Sequence, residues 1–332
     1  MPSALAALLP VLAGLVQSGI LGQYYLTVIM TMGIFIILSA SLNLINGYMG
    51  EFSCGHAGFM AVGAYASSVV GIFLFVPDKV FGQPWLPMSM APLAFPVILA
   101  VGFVAAALAG VIVAIPSFKT RGDYLAVITL AAGYIIKSAI ENIDAVGGPR
   151  GFMGMNKVIG GMTEVLNIPW MFIWIFLGVV FTLWVLRRFV YSTYGKGIMA
   201  IHQDEVAAEI MSVNTNRMKL IAFMLSSGLA GLAGGLYAYL FSFVNPGSFT
   251  ILRSTECLVM VYLGGMGSLS GSVLAAILFT VMLEFLKPLE QLKWVAIPLL
   301  LILLMQFRPE GIMGNRELSD IFPKLKRFYR FK

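Results

Sequence analysis

Long apolar runs separated by short polar connections dominate the chain. Ten runs stand out, at 4–20, 24–45, 55–76, 91–115, 124–141, 168–190, 218–243, 250–266, 268–286 and 294–307. An α-helix rises about 1.5 Å per residue, so about 20 apolar residues cross the hydrocarbon layer of a bilayer. The pattern therefore predicts an all-α fold: one polytopic transmembrane helix bundle of about ten spans, covering 1–332 as a single domain. The first and last runs are the shortest candidates.

Composition sharpens this picture. Of 332 residues, 59% are hydrophobic and 11% charged, against about 25% charged in an ordinary soluble domain. Mean hydropathy is +0.92. A cytosolic enzyme, a disordered chain and a nucleic-acid binder all need more polar surface, so these classes are excluded. The net charge of +6 becomes a question of orientation. Lys119 and Arg121 share one connection, Arg187, Arg188, Lys196, Arg217 and Lys219 cluster at another, and the tail 308–332 is rich in Lys and Arg. The rule that basic loops stay inside puts 117–123, 187–217 and the C-terminal tail in the cytoplasm, with 77–90 and 142–167 outside, in a chain of the cytoplasmic (inner) membrane. Parity then requires two crossings between Pro246 and Lys287, split at Gly264, Gly265 and Gly267. The opening MPSALAALLPVLAG has no basic segment, which argues against a cleavable signal peptide.

Glycine marks two junctions between apolar runs. Gly47-Tyr-Met-Gly50-Glu-Phe-Ser53 and Gly264-Gly-Met-Gly267-Ser-Leu-Ser270 both read G-x-M-G-x-[F/L]-S. Transporters built from repeats interrupt helices at equivalent positions near the midplane, where freed backbone groups face a cargo. Chance similarity among small packing residues is the competing reading. Few polar groups lie at membrane depth: Glu51, His56, Lys137, Glu141, Glu256 and Glu284. Lys137 and Glu141, spaced i,i+4, suit a snorkelling pair, as do Glu284 and Lys287. Glu51 and His56 flank the first junction, where either a path-lining role or ordinary hydrogen-bonded packing fits. Cys54 and Cys257 have no metal-ligand spacing and read as small packing residues; no metal site is expected.

The polar stretch 192–217 carries the strongest signal. From Gly197 to Met211 the periodicity predicts one amphipathic helix, with Ile198, Ile201, Val206, Ile210 and Met211 on one face and Asp204, Glu205 and Glu209 elsewhere. Asp204 suits an N-cap, followed by the helix formers Ala207 and Ala208. A connector lying on lipid needs a basic polar face, whereas this one is acidic and suits docking into a protein groove. No G-x-x-x-x-G-K-[ST] phosphate loop or H-E-x-x-H occurs, and His56 and His202 are the two histidines. The chain thus reads as a transport subunit, not an enzyme, with no cofactor of its own.

These motifs resemble those of the LivM-type permeases of branched-chain amino acid ABC transporters. The likeness rests on Ser41–Tyr65, Lys119–Ala131, Gly195–Val213, Val261–Gly271 and Phe307–Gly314, in family order. It implies a heterodimer with a LivH-type permease, two cytoplasmic ATPase subunits that bind the ATP, and an extracytoplasmic amino-acid-binding protein. It also implies a coupling helix within 197–212 that fits the ATPase, using Asp204, Glu205, Ala207, Ala208, Glu209 and Ser212. Ser212 stands where the family usually has Gly, and His202 where Arg is common. The expected mechanism is alternating access, with cargo passing near Gly47, Gly50, Ser53, His56, Gly264, Gly265, Gly267 and Ser270. The 142–167 connection suits either a receptor contact or a plain linker. Urea or short-chain amides are alternative cargoes, and an ion-coupled secondary transporter is a further alternative.

Overall fold

The computed structural model describes residues 22–77, 82–118, 124–166, 168–288, 293–307, 310–314 and 317. Among the described residues there are twelve α-helices: α1 Gln23–Asn43, α2 His56–Phe75, α3 Ala91–Ser117, α4 Tyr124–Glu141, α5 Met155–Val165, α6 Trp170–Val190, α7 Thr193–Gln203, α8 Glu205–Ile210, α9 Thr215–Phe241, α10 Ile251–Gly264, α11 Leu269–Leu286 and α12 Lys293–Phe307. A π-helical turn, Leu44–Met49, extends α1. Among the described residues, seven helices are long and apolar enough to cross a membrane: α1 with its π turn, α2, α3, α4, α6, α9 and α11. Three of the ten apolar runs are not among these. The run 4–20 lies outside the described residues, α10 has 14 residues and α12 has 15. At about 1.5 Å per residue those two fall short of the roughly 30 Å hydrocarbon layer. The break between 250–266 and 268–286 is present, because α10 stops at Gly264 and α11 starts at Leu269.

The bundle centres on α9, which packs most extensively on α3 and α2. Small residues permit this. A Cβ on Gly63 of α2 would collide with the Gly231 backbone of α9, and one on Gly231 with Ala106 of α3. Lipid provides no hydrophobic drive between helices, so close backbone approach must supply the dispersion contact instead. Larger side chains fill the remaining space, with the Phe95 ring meeting Tyr239 and Trp174 at 4.9 Å and 5.3 Å.

The outer surface is apolar in helical register. On α3, Leu93, Val97, Val101, Val104, Leu108, Ile112 and Ile115 are exposed in steps of three and four, forming one stripe along the helix. In water such a patch would aggregate; hydrocarbon solvates it. Lys137 and Glu141 pair at 3.6 Å on α4, and Glu284 pairs with Lys287 at 3.2 Å after α11, as their spacing predicts.

The two faces of the bundle are distinct. One carries the basic connection 187–217, with α7 and α8, and is called the basic face here. The other carries 142–167, where the two-residue strands β1 Phe152–Met153 and β2 Phe243–Val244 pair antiparallel. α1 runs from this far face to the basic face: Tyr24, at its start, accepts a hydrogen bond from Lys287, while Glu51, past its end, meets Lys219.

Candidate functional site

Both glycine junctions interrupt helices, and the structure brings the two together. After the π turn, Gly50 adopts φ +74° and the chain runs without helical structure to α2. In the second junction Gly265 and Gly267 adopt φ +111° and +81°. Gly50 and Gly267 occupy the same place in G-x-M-G-x-[F/L]-S, and both need the left-handed backbone that only glycine adopts cheaply. Ser268 then caps α11, its hydroxyl accepting from the Gly271 amide at 3.0 Å.

Asn43 is the rivet between the junctions. Its side-chain amide donates to the Ser268 carbonyl (2.9 Å) and to the Ser272 hydroxyl (2.8 Å), and its oxygen accepts from the Gly267 amide (3.0 Å). The tail contributes a second tie. Glu317 accepts from the Leu269 and Ser270 amides and from the Ser270 hydroxyl at 2.6 Å, and Tyr48 donates to it at 3.3 Å. Ile312 and Met313 donate to the carbonyls of Leu263 and Gly264. A carboxylate at the start of α11 also complements the helix dipole.

Not every expected path residue joins this junction. Gly47, Gly264, Gly265, Gly267 and Ser270 do. Gly50 instead faces α7, where a Cβ would collide with the His202 ring. Ser53 is buried, its amide donating to Asn46 at 3.3 Å. His56 is fully buried and its Nε2 lies 2.8 Å from the Ser41 hydroxyl, the environment of a packed, hydrogen-bonded side chain. The junctions also sit beside the charged basic face, whereas the repeat pattern suggested the midplane. The reason is that the first break follows all 27 residues of Gln23–Met49.

The 197–211 segment is two helices. Asp204 leaves helical geometry (φ −161°) and its carboxylate accepts from the Ala207 amide at 3.0 Å, capping α8. The expected N-cap is therefore present, but a cap starts a helix and so ends the one before it. The expected common apolar face is split in consequence. Ile198 and Ile201 of α7 are buried in the chain, whereas Val206, Ile210 and Met211 are 64%, 78% and 78% exposed. At the end of α8, Ser212 has φ +63°, with the Val213 amide donating to the Ala208 carbonyl at 3.1 Å, a Schellman-type stop that favours glycine. Ser212→Gly should raise the stability of the purified protein by about 0.5–1 kcal/mol, the relief of left-handed strain less the entropy glycine adds to the unfolded chain. Thermal melting in detergent reads this, and an unchanged or lower midpoint contradicts it.

Lys219 ties these parts together. It counted as a loop charge in the sequence, yet its side chain is nearly buried in the second turn of α9, 2.7 Å from Glu51 and 2.8 Å from Glu205. One carboxylate belongs to the first junction and the other begins α8. Glu209 accepts from the Thr215 hydroxyl at 2.8 Å, fastening the far end of α8 to α9. Asn43, Lys219 and Glu317 are the residues that sequence reasoning missed. The available signal for Asn43 was an amide inside an apolar run four residues before Gly47. Among the described residues no group of His, Cys, Asp and Glu could hold a metal ion.

The structure thus rivets one helix break to a second and clips the first to a short helix outside the bundle. Comparison with known proteins adds the family: that of branched-chain amino acid transport system permease components matches residues 24–306. The chain belongs to this permease family. Its relatives include the high-affinity branched-chain amino acid permease LivM of Escherichia coli K12, 31% identical over 84% of this chain and 68% of LivM. The probable LivM of Methanocaldococcus jannaschii is 23% identical over 90% of this chain and 95% of its own. LivH of Escherichia coli K12 is 26% identical over 40% of this chain and 43% of its own. No solved structure matches. This permease is a multi-pass membrane transport component and not an enzyme; in such systems the ATPase activity belongs to partner subunits.

Proposed function

We propose that this permease carries branched-chain amino acids through the cytoplasmic membrane by alternating access, paired with a LivH-type permease. Two cytoplasmic ATPases supply the drive, and an extracytoplasmic amino-acid-binding protein delivers cargo at the 142–167 connection. The basic face is cytoplasmic. There α8 presents Val206, Ile210 and Met211 to the ATPase cleft, with Asp204, Glu205, Ala207, Ala208, Glu209 and Ser212 shaping and holding the helix. The observation that carries the reading is the double ion pair of Lys219. A displacement of α8 is felt by Glu205, passes to Lys219, and reaches Glu51 at the first junction. His202 against Gly50 gives a parallel steric link. The two junctions, riveted by Asn43, then tilt together beside the cargo path, which runs past Gly47 and Gly264–Ser270 at the boundary with the partner permease.

Glu209 is a poor probe of docking because its carboxylate also anchors α8 to Thr215. Ile210→Asp and Met211→Asp alter the exposed face alone. Each should abolish copurification of the ATPase subunits while leaving membrane insertion and thermal midpoint unchanged. Retained ATPase with both variants would overturn the docking surface, and uphill leucine uptake by the permease pair without ATPase would overturn the mechanism.

A further inference from the structure

We infer that the corner between α6 and α7 binds the headgroup of an anionic phospholipid, held by Arg188 and Lys196. The site is independent of the cargo and goes beyond the transport reading. It starts from the outward stripe of α6. Leu177, Phe181 and Trp184 are 41%, 45% and 53% exposed, and Arg188 and Tyr191 continue the same steps of three and four as exposed residues. All five therefore share one helix face, while Gly178, Thr182, Leu186 and Val190 are buried against the bundle. Trp170, at the start of α6, is tied to the far face by its ring nitrogen, which donates to the Met162 carbonyl at 2.8 Å. From Trp170 to Arg188 the helix rises about 27 Å, close to the roughly 30 Å depth of the hydrocarbon layer. The stripe thus leaves hydrocarbon at Trp184 and enters the headgroup layer at Arg188, the order in which apolar, aromatic and basic side chains meet a membrane surface.

The corner carries cations without protein anions. Among the described residues neither Arg188 nor Lys196 has an ion pair, whereas Lys219, on the same face of the bundle, meets two carboxylates. The two positions differ in cause. A cation at the end of α6 is favoured by the helix dipole, but Lys196 stands in the first turn of α7, where the dipole opposes it. The corner is also fixed: the Ser192 hydroxyl donates to the Phe189 carbonyl at 2.6 Å and accepts from the Gly195 amide, and a Cβ on Gly195 would collide with the Phe189 and Val190 carbonyls. Arg187, 5.9 Å from the exposed Tyr191 ring, adds to the positive potential. A phosphate at this height neutralises both unpaired cations, the Arg188 guanidinium as a planar fork and the Lys196 ammonium as a point charge. A zwitterionic headgroup brings its own cation to the same place, so a net anionic headgroup is preferred. Each cation beside an anionic surface is worth about fivefold in binding. An acidic protein partner could meet the charges, but the apolar stripe that leads to them is what hydrocarbon solvates.

The test offers the complete transporter, in mild detergent, equal amounts of phosphatidylglycerol and phosphatidylcholine with matched acyl chains, and native mass spectrometry reads the lipid retained. Wild type should retain phosphatidylglycerol at least tenfold over phosphatidylcholine. Arg188→Gln/Lys196→Gln should lower that ratio at least fivefold. Arg150→Gln, which removes an exposed cation of the far face, should keep it within twofold of wild type. An unchanged ratio in the double variant, or an equal fall in Arg150→Gln, overturns the site. Absence of any preference in the complete wild-type transporter also overturns it, the outcome expected if a protein partner covers the corner. Should the double variant not assemble, Lys196→Gln alone should lower the ratio at least threefold, and an unchanged ratio overturns the site. In nanodiscs, wild type should melt at a higher temperature in phosphatidylglycerol than in phosphatidylcholine. Millimolar inorganic phosphate added to the phosphatidylcholine discs should not reproduce the shift; an equal shift would assign the corner to free phosphate and overturn the lipid site.

Discussion

Lys219→Met should uncouple ATP hydrolysis from uptake. The variant leaves Glu51 and Glu205 facing each other without a cation. Because the two carboxylates keep 22% and 45% of their surface, water relieves part of the penalty, and the loss of folding stability should be about 1–3 kcal/mol, below that of a fully buried pair. Uptake should fall further than stability does. Each 1.4 kcal/mol of lost coupling is roughly a factor of ten, and the polar route from α8 to the junction, Glu205 to Lys219 to Glu51, runs through this one nitrogen. Lys219→Met/Glu51→Gln separates the effects. It removes an uncompensated charge, so the thermal midpoint should recover toward wild type, yet leucine uptake should stay at least tenfold down with the ATPase still bound. Recovery of uptake along with stability would show that Lys219 serves the fold alone.

Gly47→Ala should be among the most damaging small substitutions in the chain. In an ordinary helix, exchanging Gly for Ala gains about 0.5–1 kcal/mol. At Gly47 a Cβ would collide with the Asn43 side chain and the Gly267 amide, the groups that hold the two junctions together. The clash cannot be relieved by a rotamer change without giving up the Asn43 hydrogen bonds, so the net loss should be about 2–4 kcal/mol. Gly160→Ala is the control: it is also helical, with nothing within 4 Å of its Cβ, and should leave the melting midpoint equal or slightly higher. Equal effects of the two substitutions would mean that the junctions do not touch.

Much of the architecture was readable before any coordinates. The run 124–141 is a helix of those same residues, and 55–76, 91–115 and 168–190 match within two residues at each end. Apolar length sets such boundaries, because a helix in hydrocarbon must satisfy its own backbone. The break at Gly264–Gly267 came from charge parity, and the Asp204 cap from local hydrogen-bonding chemistry. Misreadings arose where one local signal concealed another. Asp204 starts α8 and therefore stops α7, so periodicity counted through 197–211 joined two helices into one. Lys219 looked like a solvated loop charge because nothing local announces carboxylates 168 and 14 residues away in the chain.

The chain's order of apolar runs, basic connections and glycines by itself determined a polytopic helical membrane fold and the position of its breaks, since these depend on transfer free energy and backbone sterics that act residue by residue. Only the tertiary structure decided which breaks meet, that Asn43 and Glu317 fasten them, that two of the five residues of the expected docking face are buried, and that Lys219 joins Glu51 to Glu205. Those outcomes depend on distances between segments far apart in the chain, and desolvated polar groups take whichever partners the folded packing brings within hydrogen-bond reach.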